Sequence, residues 1–449
     1  LVGCGMSSSY LPYRPEDPLL LPPSLQEWLP SDHLSHFISD TVDQLDLSSF
    51  HASYDLTCRG NQPYHPKMMV KVLLYAYSTG VFSSRRIARS LREDVAFRSL
   101  AAGNYPAHRT ICDFRNNHLK SLESLFVQVV RIARECKMVR LGTVAIDGTK
   151  IQANASRHKA MSYGRMLEAE KALQEQIQDL LRKAEAVDCS ESGKEDSETS
   201  LPAELALRRK RLETIQAAKR RLEERQREMD RAQGRKEDDE RKPRDKDGRP
   251  KGGRYKRDFG IPSDSSQESF TDPQSRIMPH SGGNFEYSYN CQAAVDRESR
   301  IVVAATASDC PADSGQLVSM VNAVKEMVGK LPRKVLADAG YRSEDGFAKL
   351  EEKKVRAVVA LGREGKQARD YDRKELPATH RMARRMSSPK GRNDYKERKW
   401  IVEPIFGWAK RVLGFRQMSM RGLEKATAEW KLVCTALNLR RMSVLKMAT

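Results

Sequence analysis

One interruption constrains this fold more than any other feature. Thr143-Val144-Ala145-Ile146-Asp147 is a short β-branched run that reads as a buried strand, with Gly148 marking a turn before a further extended piece to about 155. Strand patterning then stops and resumes only at 285. Between the two lies a helical pattern. In 161–187, Met166, Ala169, Leu173, Ile177, Leu180, Ala184 and Val187 step by three and four; in 202–232, Leu205, Leu212, Ile215, Leu222 and Met229 fall on a seven-residue comb. The polar stretch 188–200 separates them, which predicts an antiparallel helical hairpin with a coiled-coil-like seam. Residues 233–268 are charged and poor in apolar groups, which predicts a flexible link. A lone strand cannot satisfy its own backbone groups, so it must pair with strands beyond the hairpin.

Those strands are legible. FEYSYNCQAAVD (285–296) and RIVVAATA (300–307) flank the turn DRES. Asp313 is placed to cap a helix at about 314–329, whose stripe is Leu317, Met320, Val321, Val324 and Val328. PRKVLAD (332–338) and VRAVVAL (355–361) are further buried strands, with a short helix capped by Ser343 between them. The fold class is α/β: a mixed sheet carrying a helical-hairpin insertion. Residues 139–160 and 269–449 form the sheet domain and 161–268 the insertion. Ahead of them, 32–138 form an all-α domain behind an extended Pro/Leu-rich arm at 1–31. Gly-containing turns and Arg85, Arg86, Arg89 and Arg92 on one short helix suit a helix-turn-helix-like arrangement. A plain helical domain fits the same pattern.

Charge points to a polyanionic partner. Lys and Arg number 79 against 60 Asp and Glu, a formal charge of +19. Residues 361–449 alone hold 22 basic and 9 acidic side chains, net +13, whereas 160–260 hold 26 and 23, net +3. Such a local excess suits nucleic acid; a generic basic surface is the plain alternative. No apolar run is long enough to span a bilayer, since MMVKVLLYAY is short and holds Lys71. The first thirty residues lack a signal-peptide pattern, so a cytoplasmic protein is expected; the chain starts at Leu1, and Met6 is a candidate start. The eight cysteines are scattered without a CxxC pair and read as reduced thiols. His33 and His36 make only a weak zinc signal.

Three carboxylates stand out. Asp147 and Asp338 each end a buried apolar run and are followed closely by Gly148 and Gly340. Ligands gather at strand ends in open α/β sheets, and paired carboxylates there suit a hard divalent cation; each could equally cap a turn. Glu403 lies in KWIVEPIFGWAKR, with Pro404 compatible with a first helical turn. Ile401, Ile405 and Trp408 would form the core face of that helix. Glu403 and Lys410 would share the opposite stripe, as a metal ligand beside a phosphate contact or as an exposed salt-bridged face.

AIDGTKIQANAS (145–156), YNCQAAVD (289–296), VLADAGYRSEDG (335–346) and WIVEPIFGWAKRVLGFRQMSMRG (400–422), in that order, resemble the DDE transposases of bacterial insertion sequences. LLPPSLQEWLP, RRIARSLREDVAFR, AHRTICDFR and FTDPQSRIM are similar to one group of them, so the resemblance covers nearly the whole chain. It implies an RNase H-like fold and an acid triad of Asp147, Asp338 and Glu403 that also holds the metal. The metal would be two Mg²⁺ ions, with Mn²⁺ as substitute. It further implies cleavage of DNA at element ends, strand transfer into target DNA, a homodimer assembled on DNA and a nucleoid-associated location. The family's Tyr, Arg, Glu, Lys signature falls on Tyr395, Arg398, Glu403 and Lys410, with Lys399 competing for the Arg position. With Arg411, Arg85, Arg86 and Arg89 these are the implied DNA contacts. A non-catalytic DNA-binding descendant, or an RNase H-fold nuclease without strand transfer, stays open as an alternative.

Overall fold

A computed structural model describes residues 24–52, 54, 63–189, 201–237, 253–280, 282–362 and 371–447. The arm over 1–23, nearly all of the expected loop at 188–200 and the centre of the expected link, 238–252, lie outside them.

Seven helices come first: α1 (Leu34–Asp43), α2 (Ser48–His51), α3 (Pro66–Ser78), α4 (Ser84–Glu93), α5 (Val95–Leu100), α6 (His108–Asn117) and α7 (Leu119–Glu135). Pro66 opens α3, where its missing N–H costs nothing, and the His65 ring accepts from the Lys67 N–H. Helix α4 buries Ile87 and Leu91 and leaves Arg85, Arg86 and Arg89 exposed. At its start Ser83 makes no capping bond, and the Ser84 hydroxyl accepts from Arg115.

The sheet comprises β1 (Thr143–Gln152), β4 (Arg276–Pro279), β5 (Phe285–Asp296), β6 (Val302–Ser308), β7 (Lys334–Ala337) and β8 (Arg356–Val359); β2 (Ala160–Ser162) pairs apart with β3 (Gln267–Ser269). Its order is β4-β5-β1-β7-β8, with β6 pairing the same strand β5 beyond β4. Strand β1 runs antiparallel to β5 and parallel to β7, and β7 runs parallel to β8. This is the mixed, RNase H-like sheet expected, with the hairpin inserted after its first strand. Gly148 does not interrupt β1, as the sequence suggested. It pairs with Gln292 in an unbroken ladder from Val144 to Gln152. Glycine is needed there for space, because a Cβ would stand 2.4 Å from Gln292 Nε2.

The insertion is the predicted hairpin, α8 (Tyr163–Cys189) against α9 (Leu201–Ala232). Its own small core holds Tyr163, Met166, Leu173, Ile215, Ala218 and Leu222. The comb fails at its last tooth: Met229 is 51% exposed, while neighbouring Asp230 is buried. Asp230 pairs with Arg235 at 3.0 Å and accepts from the Gly260 N–H at 2.8 Å. Arg235 lies 4.0 Å over the Tyr255 ring, and buried Glu268 meets Arg221 and Arg225 of α9. Residues 253–268, expected as a flexible link, thus fold back along the hairpin and end in β3. The segment is anchored by Glu268 pairing with Arg221 and Arg225 and by the Gly260 N–H on Asp230, which composition alone does not reveal.

The remaining helices are α10 (Gln316–Val328), α11 (Glu344–Glu352), α12 (Pro377–Ser387), α13 (Pro389–Gly407), running on into a π-turn at Trp408–Val412, and α14 (Leu423–Met447). Helix α14 is buried along most of its length, from Ala426 to Ser443. It packs between β6 and helices α3 and α7, so one continuous core joins the amino-terminal helices to the sheet. Trp430, fully buried, donates to the Gln292 carbonyl, and the Asn438 amide brackets Val302. At the same junction Arg115 donates to the hydroxyls of Tyr77 and Ser84, and the Tyr77 hydroxyl donates to Glu429.

Candidate active site

Parallel pairing places the two aspartates side by side. Val144 is opposite Val335 and Ala145 opposite Leu336; continuing that register sets Asp147 beside Asp338 on the adjacent strand. Neighbouring strands are about 4.8 Å apart. Asp338 leaves β7 and caps a 3₁₀ turn, its Oδ1 accepting from the Gly340 N–H at 2.9 Å. Asp147 is mostly buried, and its Oδ1 accepts from the Gly148 N–H. Burial is the main cause that pushes its carboxyl up to about 6; the charge of Asp338 adds to the rise, and Arg398 works against it.

Arg398 is the largest counterweight. It projects from α13, is buried, and donates Nη1 to Asp147 Oδ2 at 2.7 Å. Its guanidinium also lies 5.8 Å from the Tyr395 ring. Arg398, not the exposed Lys399, therefore faces the aspartate pair.

Helix α13 differs from the expected short helix. It starts at a Ser388 cap with Pro389 in its first turn, so Pro404 sits inside it. The inner face is Arg398, Ile401, Val402 and Phe406, followed by Ala409, while Trp408 is 42% exposed. The buried stripe runs through Arg398, Val402, Phe406 and Ala409 at ordinary helical spacing, one position round from the expected Ile401, Ile405 and Trp408, and the π-turn begins only at Trp408. Glu403 is exposed. Five residues beyond Arg398, it leaves the helix about 140° away from it. Among the described residues no three His, Cys, Asp or Glu side chains form a group that could hold a metal ion.

Lys410 is half-buried rather than free to reach solvent. Its ammonium donates to the Lys150 carbonyl of β1 at 2.8 Å, and burial lowers its pKa. Arg411 is exposed on the same turn. The sequence missed Asp313 as a site residue. Its side chain caps nothing, since Gly315 holds the N-cap of α10. Instead Oδ1 accepts from the amides of Asn290 at 2.7 Å and Gln292 at 2.8 Å. Alternation along β5 was the available signal, because polar Ser288, Asn290 and Gln292 recur every second residue, and all three are fully buried.

The donors near the strand ends are all hard oxygens: two adjacent carboxylates, one kept from ionising easily by burial and by the other. Mg²⁺ takes one or two carboxylates and keeps its waters, so this pair fits a hard divalent cation.

Two family models match the chain: a transposase DDE domain over residues 258–439 and a transposase domain (DUF772) over residues 23–117. The chain belongs to the DDE transposases. The first match begins at 258, so Asp147 lies outside it, and the pairing of β1 with β7 is what brings this residue to the transposase site. The helices with exposed Arg85, Arg86 and Arg89 lie within the second match. No curated protein and no solved structure matches the chain. Among the described residues no helix of the transposase is long and apolar enough to cross a membrane.

Proposed function

We propose that this transposase cleaves DNA at the ends of an insertion sequence and joins the freed 3′ ends to target DNA, at one site and without a covalent protein intermediate. The observation that carries the reading is the register of Asp147 beside Asp338 in a sheet of this order. Asp147, Asp338 and Glu403 would hold two Mg²⁺ ions, or Mn²⁺ in their place. Bound there, such ions lower the pKa of an attacking water and stabilise the leaving oxygen.

The chain's own groups do the rest. Arg398 keeps Asp147 oriented and offsets its charge until the cation arrives. Glu403 stands directly before Pro404 and the π-turn, where the helix is least regular, so it is the acid whose approach to the pair depends on local rewinding. Lys410 fixes the β1 backbone three residues beyond Asp147. Arg85, Arg86, Arg89, Lys399 and Arg411 are exposed and would take DNA phosphates, which positions the duplex without reading its sequence. A homodimer on DNA would bring two element ends together.

The test is cleavage and joining in vitro with element-end DNA, target DNA and Mg²⁺. Asp147→Ala, Asp338→Ala and Glu403→Ala should each abolish both steps while DNA binding persists. Wild-type cleavage by any one purified variant removes that residue from the triad. Cleavage without joining leaves a nuclease.

A further inference from the structure

We infer that Asp313 is an outer carboxylate of the divalent-cation site, held in place by Asn290 and Gln292 and acting on the Asp338 side. The inference rests on the active-site reading above and adds a residue to it.

Two glycines that follow the paired aspartates, each with polar side chains packed close against it, locate the Asp313 carboxylate. Beside Gly340, the point a Cβ would occupy is 3.1 Å from Asp338 Oδ1 and 3.2 Å from Asp313 Oδ2. Two carboxylate oxygens from different segments thus face one small space. Beside Gly148, the neighbour of Asp147, the corresponding point is 2.8 Å from Asn290 Oδ1 and 2.9 Å from Asp313 Oδ1. The two oxygens of Asp313 therefore face the two glycines that follow the paired aspartates. The Tyr341 hydroxyl feels the charges of Asp313, Asp147 and Asp338 together, which places all three around one group.

An independent observation points to a ligand. Asn290 is fully buried, yet its Oδ1 has no hydrogen-bond partner, although its Nδ2 donates to Asp313. A buried carbonyl oxygen left unpaired loses its water hydrogen bonds without return, so such an atom calls for a partner. That oxygen lies beside the residue that follows Asp147, so the waters of a hydrated hard cation on the neighbouring carboxylates are donors of the right kind for it. Two cations stand in for metal charge here: Arg398 pairs with Asp147, and Lys150 Nζ stands 3.9 Å from Asp313 Oδ1 while donating to the Pro311 carbonyl. Asn290 and Gln292 each give an N–H to the same Asp313 oxygen, which fixes the carboxylate and leaves Oδ2 turned toward Asp338. Outer carboxylates and amides of this kind govern metal affinity in other sites by about 10–100-fold.

The experiment measures Mn²⁺ binding to the full chain without DNA, by the loss of the free-ion paramagnetic resonance signal. Wild type is compared with Asp313→Asn, Asp313→Glu and Asp147→Asn, and each protein is also melted in EDTA. The expected result is an Mn²⁺ affinity about tenfold lower in Asp313→Asn, partly recovered in Asp313→Glu, with EDTA melts that superimpose on wild type. A lower EDTA melt with unchanged Mn²⁺ affinity would make Asp313 a structural residue and overturn the inference. If Asp313→Asn does not fold, equal Mn²⁺ affinity with Asp313→Glu set against wild type and Asp313→Ser decides likewise: full binding by the Ser variant overturns it. Loss of binding in Asp147→Asn alone sinks the role of Asp313 and leaves the active-site reading standing. Equal binding by wild type and Asp147→Asn sinks that reading itself.

Discussion

Replacing Arg398 by Met should produce a stability loss that depends on pH in a defined direction. The guanidinium and the Asp147 carboxylate are both largely shielded, with side-chain exposures of 9% and 16%. Even with Arg398 present, burial raises the Asp147 carboxyl from its ordinary 3.8 to about 6. At 1.36 kcal/mol per pH unit, ionised Asp147 already costs the metal-free fold about 3 kcal/mol. A raised acid pKa means that the folded state holds the proton more tightly. Stability is therefore full below about pH 4 and declines as pH rises through 6. Removing Arg398 deletes the main counterweight, so the carboxyl rises further and the decline extends to higher pH. Breaking a buried pair from one side costs about 3–5 kcal/mol while the partner stays charged. At pH 5 Asp147 is mostly protonated, and only the guanidinium's hydrogen bond to an uncharged carboxyl and packing are lost, about 1.5 kcal/mol. Scanning calorimetry in EDTA should show Arg398→Met melting at least roughly 4 °C further below wild type at pH 8 than at pH 5. Adding Asp147→Asn should remove most of that difference, because no buried carboxylate is then stranded. Equal losses at both pH values, or additive single and double variants, would refute the reasoning.

Other outcomes follow from the same geometry. Lys410→Ala should destabilise by about 1.5–3 kcal/mol in a denaturant titration, because a charged donor to the β1 backbone is lost; a change under 0.5 kcal/mol would mark a solvated lysine. Exposed Arg85 and Arg86, replaced together by Ala, should leave the melting temperature unchanged and lower the slope of log DNA affinity against log salt by about two units, read from filter binding. Gly148→Ala should lower both Mn²⁺ affinity and stability, since its Cβ would press on Gln292, Asn290 and Asp313; normal Mn²⁺ affinity would count against the role given to that space. Asp230→Ala should free 253–260 from α9, and limited proteolysis should then cut there sooner than in wild type.

Local pattern was enough for much of this protein. The strand at 143–147, the hairpin arms and the order of strands and helices after 285 all follow from apolar spacing, a property of neighbours in the chain. Asp147 and Asp338 were legible for the same reason: each closes a β-branched run and precedes a glycine, and both signals are local. Long-range pairing decided the rest. Gly148 reads as a turn until β5 pairs across it. Asp313 reads as a helix cap until Asn290 and Gln292, more than twenty residues earlier, present two amides to it. The face expected from Ile401 through Trp408 lost its last member because packing turned Val402, Phe406 and Ala409 inward, which leaves Trp408 outside. Residues 253–268 looked unstructured because Glu268 finds its partners, Arg221 and Arg225, on α9, a helix reached through the return of the chain. Side-chain spacing thus determined which elements form, whereas charges and amides found their partners only when those elements met, since a polar group's burial depends on what the rest of the chain lays over it.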